Sequence, residues 1–199
     1  MPYIGESLLT VGAYALGCVS TGYYLVRIRT GKDIRRLGSG SAGSRNVARL
    51  MGPSAFAVTM AGDAAKGVLV AWAALLLGLE AWGVLLAIFA VVAGHIWPIQ
   101  LAFRGGRGLA TAMGAVLVFD YWLVLAVFVM AAITLTLSKD FTLSGLVAVA
   151  LTPGFAVIIG HSQTNAIGIS LLAALILFAH RENIRRIVRP ETGPSGEEV

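Results

Sequence analysis

His180 and Asn183 are three positions apart, a spacing that puts both on one face of a helix. An imidazole there can take a proton from a hydroxyl, and the amide one turn on can orient it or the substrate. A histidine at a membrane interface with no chemical duty has the same spacing, and the residues alone weigh the two readings evenly. His95, in Gly94-His95-Ile96-Trp97-Pro98, is a second candidate, whereas His161 is expected on the opposite side of the protein.

Two glycine-bearing segments are shaped for anions. The stretch from Gly38 to Arg49 reads Gly-Ser-Gly-Ser-Ala-Gly-Ser-Arg-Asn-Val-Ala-Arg. Closely spaced Gly38, Gly40 and Gly43 let backbone N–H groups turn toward a phosphate, and Ser39, Asn46 and Arg49 can add side-chain donors. A solvated basic loop would look similar. The second stretch runs from Phe103 through Arg104, Gly105, Gly106, Arg107 and Gly108 to Thr111. Its glycines would bare the first N–H groups of the helix that follows, at the positive end of its dipole.

Asp63 and Lys66 share a helical face inside an apolar run, where they can neutralise each other. A structural ion pair suits Asp63, and a functional role is expected of Lys66. Cys18 reads as a small buried hydrophobe, and a single cysteine excludes an intrachain disulfide or a CxxC motif. No histidine is followed five positions later by aspartate, so an HxxxxD acyltransferase pair is missing. The carboxylates are scattered, which disfavours a magnesium-dependent phosphotransferase. The expectation is a reaction on anionic substrates with no cofactor and no metal.

The elements that must position these groups are membrane helices. Of 199 residues, 57% are hydrophobic and only 13% charged, with mean hydropathy +0.83, a balance that leaves too little polar sequence to wet a soluble surface. Apolar runs fall at about 3–26, 53–78, 82–100, 108–119, 121–138, 141–160 and 164–180, which suggests an all-α bundle of seven transmembrane helices. The first run has Glu6 and no Lys or Arg at its amino-terminal end, and Arg27, Arg29 and Lys32 after it, the mark of a retained anchor with its amino terminus outside. With seven crossings all 15 basic residues lie on, or just inside, one face, so that face and the carboxyl terminus are expected in the cytoplasm. The short fourth run is retained because deleting it would send Arg181, Arg185, Arg186 and Arg189 outside. Residues 1–189 read as one membrane domain without internal repeats, and 190–199 as a disordered tail.

Taken in order, these segments resemble the bacterial acyl-phosphate:glycerol-3-phosphate acyltransferases, the PlsY family of seven-helix membrane enzymes. The matching positions are Gly38-Ser39-Gly40 with Gly43, Asn46 and Arg49; Asp63-Ala64-Ala65-Lys66-Gly67; Gly94-His95; Phe103 to Thr111; and His180 to Ile184. Ser41, Arg45, Arg104 and Arg107 depart from the family's usual Asn, Thr, Lys and Lys. The resemblance implies acyl transfer from acyl phosphate to the sn-1 hydroxyl of glycerol 3-phosphate, in phospholipid biosynthesis at the bacterial plasma membrane. It implies substrate phosphate on Ser39 and Arg49, and the second phosphate on Gly105, Gly106, Arg107, Gly108 and Thr111. Lys66 and His95 would support the site, and His180 with Asn183 would deprotonate or orient the acceptor. The bilayer is the expected partner, and nucleic acid is not. Two other readings are an organic-phosphate transporter, which would need polar groups leading to both sides, and a phosphate- or lipid-binding protein without catalysis.

Overall fold

The computed structural model describes residues 2–189, with side chains from Ile4 onward, and the expected tail at 190–199 lies outside that range. Every apolar run is helical. The first is split into α1 (Pro2–Cys18) and α2 (Thr21–Thr30), and the basic segment after it carries α3 (Ser44–Met51). There follow α4 (Pro53–Leu76), α5 (Ala81–Ile96), α6 (Leu109–Phe119), α7 (Tyr121–Ser138), α8 (Phe141–Ile158), α9 (Gln163–Ala179) and α10 (Arg181–Val188). There is no strand among the described residues.

Five segments are long and apolar enough to cross a membrane: Ile4–Thr30, Pro53–Leu76, Ala81–Leu101, Tyr121–Ser138 and Phe141–Ile158. A sixth forms if α9 and α10, bent by 65° at His180, are taken as one. Helix α6 has 11 residues, about 16 Å of length, against a hydrocarbon core of about 30 Å. It lies against α4 at close range: a Cβ at Gly67 would collide with the Thr111 carbonyl, and one at Gly114 with the Ala64 carbonyl. Small residues let two backbones approach this way where lipid offers no hydrophobic drive to associate.

Helix α5 is the centre of the bundle, two-thirds of its span buried, with α1, α4, α6 and α9 packed around it. Val84, Ile88, Val91 and Val92 form its contribution to the core. Much of α7 is exposed, including Leu125, Phe128 and Val129. Apolar side chains at the surface are what a lipid solvent permits.

The break between α1 and α2 explains the charges at Asp63 and Lys66. Chain interruption at Val19 and Ser20 deprives backbone groups of helical partners, and in lipid each must be satisfied internally. The Lys66 ammonium donates to the carbonyls of Gly17 at 3.0 Å and Val19 at 2.8 Å, and the Gln100 amide donates to that of Cys18. Asp63 accepts from the hydroxyl and backbone N–H of Thr21, capping α2. Lys66 and Asp63 are 3.1 Å apart and both are buried.

Candidate active site

Asn46 organises the first glycine loop. Its side chain is 2% exposed and fully used within the loop: Nδ2 donates to the carbonyls of Leu37 and Ser41, each at 2.9 Å, and Oδ1 accepts from the backbone N–H of Ser39 at 2.9 Å. Gly38 sits at φ +54°, and a Cβ there would collide with Asn46 Oδ1. The expected role of Asn46 as a donor to phosphate therefore differs from its geometry, which makes it the clamp that sets Ser39. No polar partner of the Ser39 hydroxyl is found among the described residues, and Ser39 lines a cavity.

The second glycine loop is fixed from α5. The N–H groups of Gly105 and Gly106 donate to the carbonyls of Ile96 and His95, both at 3.1 Å, so they are not available to an anion. A Cβ at Gly106 would collide with the His95 imidazole. The Gly105 carbonyl accepts from Ala42 N–H at 3.2 Å, tying the two glycine loops together. The amides that open α6 remain, those after Gly108, which is in the left-handed conformation at φ +79°. Thr111 is fully buried at the α4–α6 contact. His95 Nδ1 is 2.8 Å from Lys66 Nζ and 3.5 Å from Asp63 Oδ1, so the cluster that repairs the α1–α2 break also holds the imidazole against Gly106.

His180 sits at the bend between α9 and α10, 7% exposed. Its Nδ1 is 2.8 Å from the Ile176 carbonyl. A carbonyl only accepts, so Nδ1 carries the proton and Nε2 is left as the ring's acceptor. Asn183 follows in the first turn of α10.

These groups meet at one end of a cavity of about 560 Å³ lined by Ser39, Asn46, His95, Arg107, Gly108, His180 and Asn183. Arg45, Ser41 and Ser44, which sequence reading left out of the site, border it too. The rest of its wall is apolar, from α4 (Phe56, Met60, Val68), α6 (Met113, Leu117), α7 (Val124, Phe128, Leu135) and α8 (Leu146, Val149). Between Val124 and Leu135 the wall extends about 16 Å along α7.

Arg107 and Arg45 are the cations that line the cavity. Burial, then the charges of Arg186, Arg45 and Arg49, push the Arg107 guanidinium below its ordinary value, and Glu182 opposes them weakly. A guanidinium surrounded by like charge in this way is stabilised by an anion beside it. Arg49 is exposed and does not line the cavity; neither do Lys66, Thr111, Gly38, Gly40, Gly105 or Gly106. His161 pairs with Asp120 at 2.6 Å, at the far end of α9 from His180. A second hollow of about 650 Å³, between Trp122, Met130 and Phe155, has no titratable lining group.

The family model described as glycerol-3-phosphate acyltransferase matches residues 7–190. A glycerol-3-phosphate acyltransferase 1 of Desulfitobacterium hafniense (strain Y51) is 42% identical over 92% of this chain and 91% of that protein. A glycerol-3-phosphate acyltransferase of Thioalkalivibrio sulfidiphilus (strain HL-EbGR7) is 39% identical over 97% and 95%. The crystal structure of PlsY (YgiH), an integral membrane glycerol 3-phosphate acyltransferase, in its glycerol 3-phosphate form superposes with a TM-score of 0.87 at 28% identity, covering 96% of each chain. Its lysophosphatidic acid form gives 0.85 at 26% identity, again over 96% of each. The sequence motifs, the helical architecture and these similarities agree, and the chain belongs to the glycerol-3-phosphate acyltransferase family.

Proposed function

We propose that the protein transfers a fatty acyl group from an acyl phosphate to the sn-1 hydroxyl of glycerol 3-phosphate, giving lysophosphatidate and inorganic phosphate. The observation that carries this reading is one cavity with two chemistries: cations, hydroxyls and an imidazole at one end, and a long apolar trough behind them. An acyl phosphate has the same division. The relatives' shared activity and the two liganded forms of PlsY support the acceptor and the product.

In this reading the acceptor oxygen attacks the acyl carbonyl carbon, the bond from that carbon to the phosphate oxygen breaks, and phosphate leaves with the electron pair. Nε2 of His180 takes the hydroxyl proton, with Asn183 orienting the hydroxyl. Ser39 and Arg49 bind one phosphate at the loop that Asn46 holds. Arg107 and the first amides of α6 bind the other, while Lys66 and His95 keep the second loop in place. Acyl phosphate is already activated, so the protein's main work is to bring two mutually repelling anions together and stabilise the charge that develops between them.

The chain would cross seven times, α6 included, with its basic end in the cytoplasm of a bacterial cell and its amino terminus outside. Under that topology Arg27 to Arg49, Arg104, Arg107, Lys139 and Arg181 to Arg189 share one side, as positive charge does. The donor then arrives through the bilayer and the acceptor through water. The test supplies purified protein with glycerol 3-phosphate and either acyl phosphate or acyl-CoA, and measures lysophosphatidate and released phosphate. Absence of product from both donors refutes the reading; product from acyl-CoA alone overturns the donor.

A further inference from the structure

The walls of the trough leave a gap. Helix α4 packs on α6, α6 on α7 and α7 on α8, but among the described residues no packed interface joins α4 directly to α7. The trough therefore has α6 as its floor and a lateral slot between α4 and α7. Phe56 and Met60 flank it on one side, and Phe128 and Leu135 on the other. Met60, Phe128 and Leu135 are exposed, as an entrance from lipid would be.

The polar end of this slot is spanned by a side-chain contact. Arg45, in the first turn of α3, holds its guanidinium over the ring of Phe141, the first residue of α8, 5.5 Å from the centroid. Both residues line the cavity. The charge of Arg45 also reaches Arg107 and His180, so the guanidinium is within electrostatic range of the ligand's head as well as of the ring. A cation on an exposed aromatic face is weakly held, and a charge-assisted bond to a phosphate is stronger.

We propose that Arg45 and Phe141 form a latch over the polar end of the lateral slot, the guanidinium leaving the ring to pair with the phosphate of an acyl-bearing anion that enters from the bilayer. Arg45 is then a positioning and specificity residue for the lipid-borne substrate. A small water-soluble phosphate reaches the polar end without passing the slot, so the latch does not select it. The proposal rests on the acyl-transfer reading only in taking its ligand to be an acyl-bearing phosphate.

The experiment measures binding of dodecyl phosphate, glycerol 3-phosphate and inorganic phosphate to the full chain in detergent, without turnover. Arg45→Gln is expected to weaken dodecyl phosphate about fivefold or more and to move the other two by less than about twofold. Phe141→Leu retains an apolar wall but removes the competing ring face, and is expected to tighten dodecyl phosphate about two- to fivefold. Arg45→Lys keeps a cation and should stay within about threefold of the parent.

Opposite signs for Arg45→Gln and Phe141→Leu are the signature of a latch; a purely structural contact would weaken binding in both. Unchanged dodecyl phosphate binding in Arg45→Gln overturns the latch, as does equal weakening of all three ligands. If Arg45→Gln fails to fold, the sign of the Phe141→Leu change decides. Dodecyl phosphate binding by a protein that makes no lysophosphatidate refutes acyl transfer and leaves the latch standing. Lysophosphatidate synthesis together with normal dodecyl phosphate binding by Arg45→Gln refutes the latch alone.

Discussion

Lys66→Met is expected to destabilise the protein by about 3–5 kcal/mol, the cost of removing one partner from a buried ion pair, while leaving substrate affinity nearly unchanged. The magnitude follows from what the ammonium touches. Without it, the Asp63 carboxylate, 2% exposed, loses its cation, and the carbonyls of Gly17 and Val19 lose their donor at a helix break. Methionine fills nearly the same volume, so the effect is electrostatic rather than a packing void. In detergent the loss should lower the unfolding temperature by roughly 6–20 °C, at about 2–4 °C per kcal/mol for a chain of this size. Adding Asp63→Asn removes the uncompensated charge and should recover part of the loss, although Asn caps Thr21 less well. Kinetics below the transition should give a KM for glycerol 3-phosphate within about twofold of the parent. An unchanged unfolding temperature with a KM raised tenfold would refute this reasoning and return Lys66 to the phosphate site.

Three further outcomes are expected. His180→Ala should lower kcat at least about tenfold while both substrates still bind, the scale of a lost general base; near-normal turnover would move the proton acceptor elsewhere. Asn46→Ala removes a donor from the Leu37 and Ser41 carbonyls and the acceptor of the Ser39 N–H, so protease cleavage between Leu37 and Arg49 should quicken and activity should fall together with it. Asp33, held at about 2 chiefly by its bonds to Arg35, pins Arg35 where it donates to the Leu101 carbonyl. Its folded value is below the ordinary 3.8, so the pair stabilises the loop above that pH and is lost as pH falls through about 2. Asp33→Asn should therefore show at pH 7 the loop lability, read by proteolysis, that the parent shows only in acid.

The apolar runs located the helices within a few residues, because length and hydropathy are local properties: 121–138 was matched by Tyr121–Ser138, and 53–78 by Pro53–Leu76. The break in the first run was not legible. Ser20 is of a type that caps helices, but one serine inside an apolar run does not mark a break, and the groups that make the break tolerable, Asp63, Lys66 and Gln100, are distant in sequence. The same distance hides how Lys66 would support the site, through His95 and the second glycine loop. Its ammonium is shared between the Gly17 and Val19 carbonyls, Asp63 and His95, and of these only Asp63 is near it in sequence. Glycine spacing correctly marked the two loops but not which of their amides face inward, since Gly105 and Gly106 donate to α5. In sequence Arg45 stands out only as a departure from the family's usual threonine. Its relation to Phe141 exists only once α8 is folded beside α3.

The arrangement also accounts for how acyl transfer can proceed without a strong protein nucleophile. Cys18 is buried in the α1–α2 region and does not line the cavity, and Ser39 is set by Asn46 near the cations rather than beside His180's free nitrogen in any bond among the described residues. What the polar end does have is Arg107, whose guanidinium feels the like charges of Arg186, Arg45 and Arg49, a repulsion that an anion beside it would relieve. In the proposed reaction two phosphates would meet charge that the fold has largely assembled, with Arg45 the group that moves. The hydroxyl of one substrate and the carbonyl of the other then need only be aligned, which is the contribution that a rigid bundle with its two loops bonded to each other is suited to make.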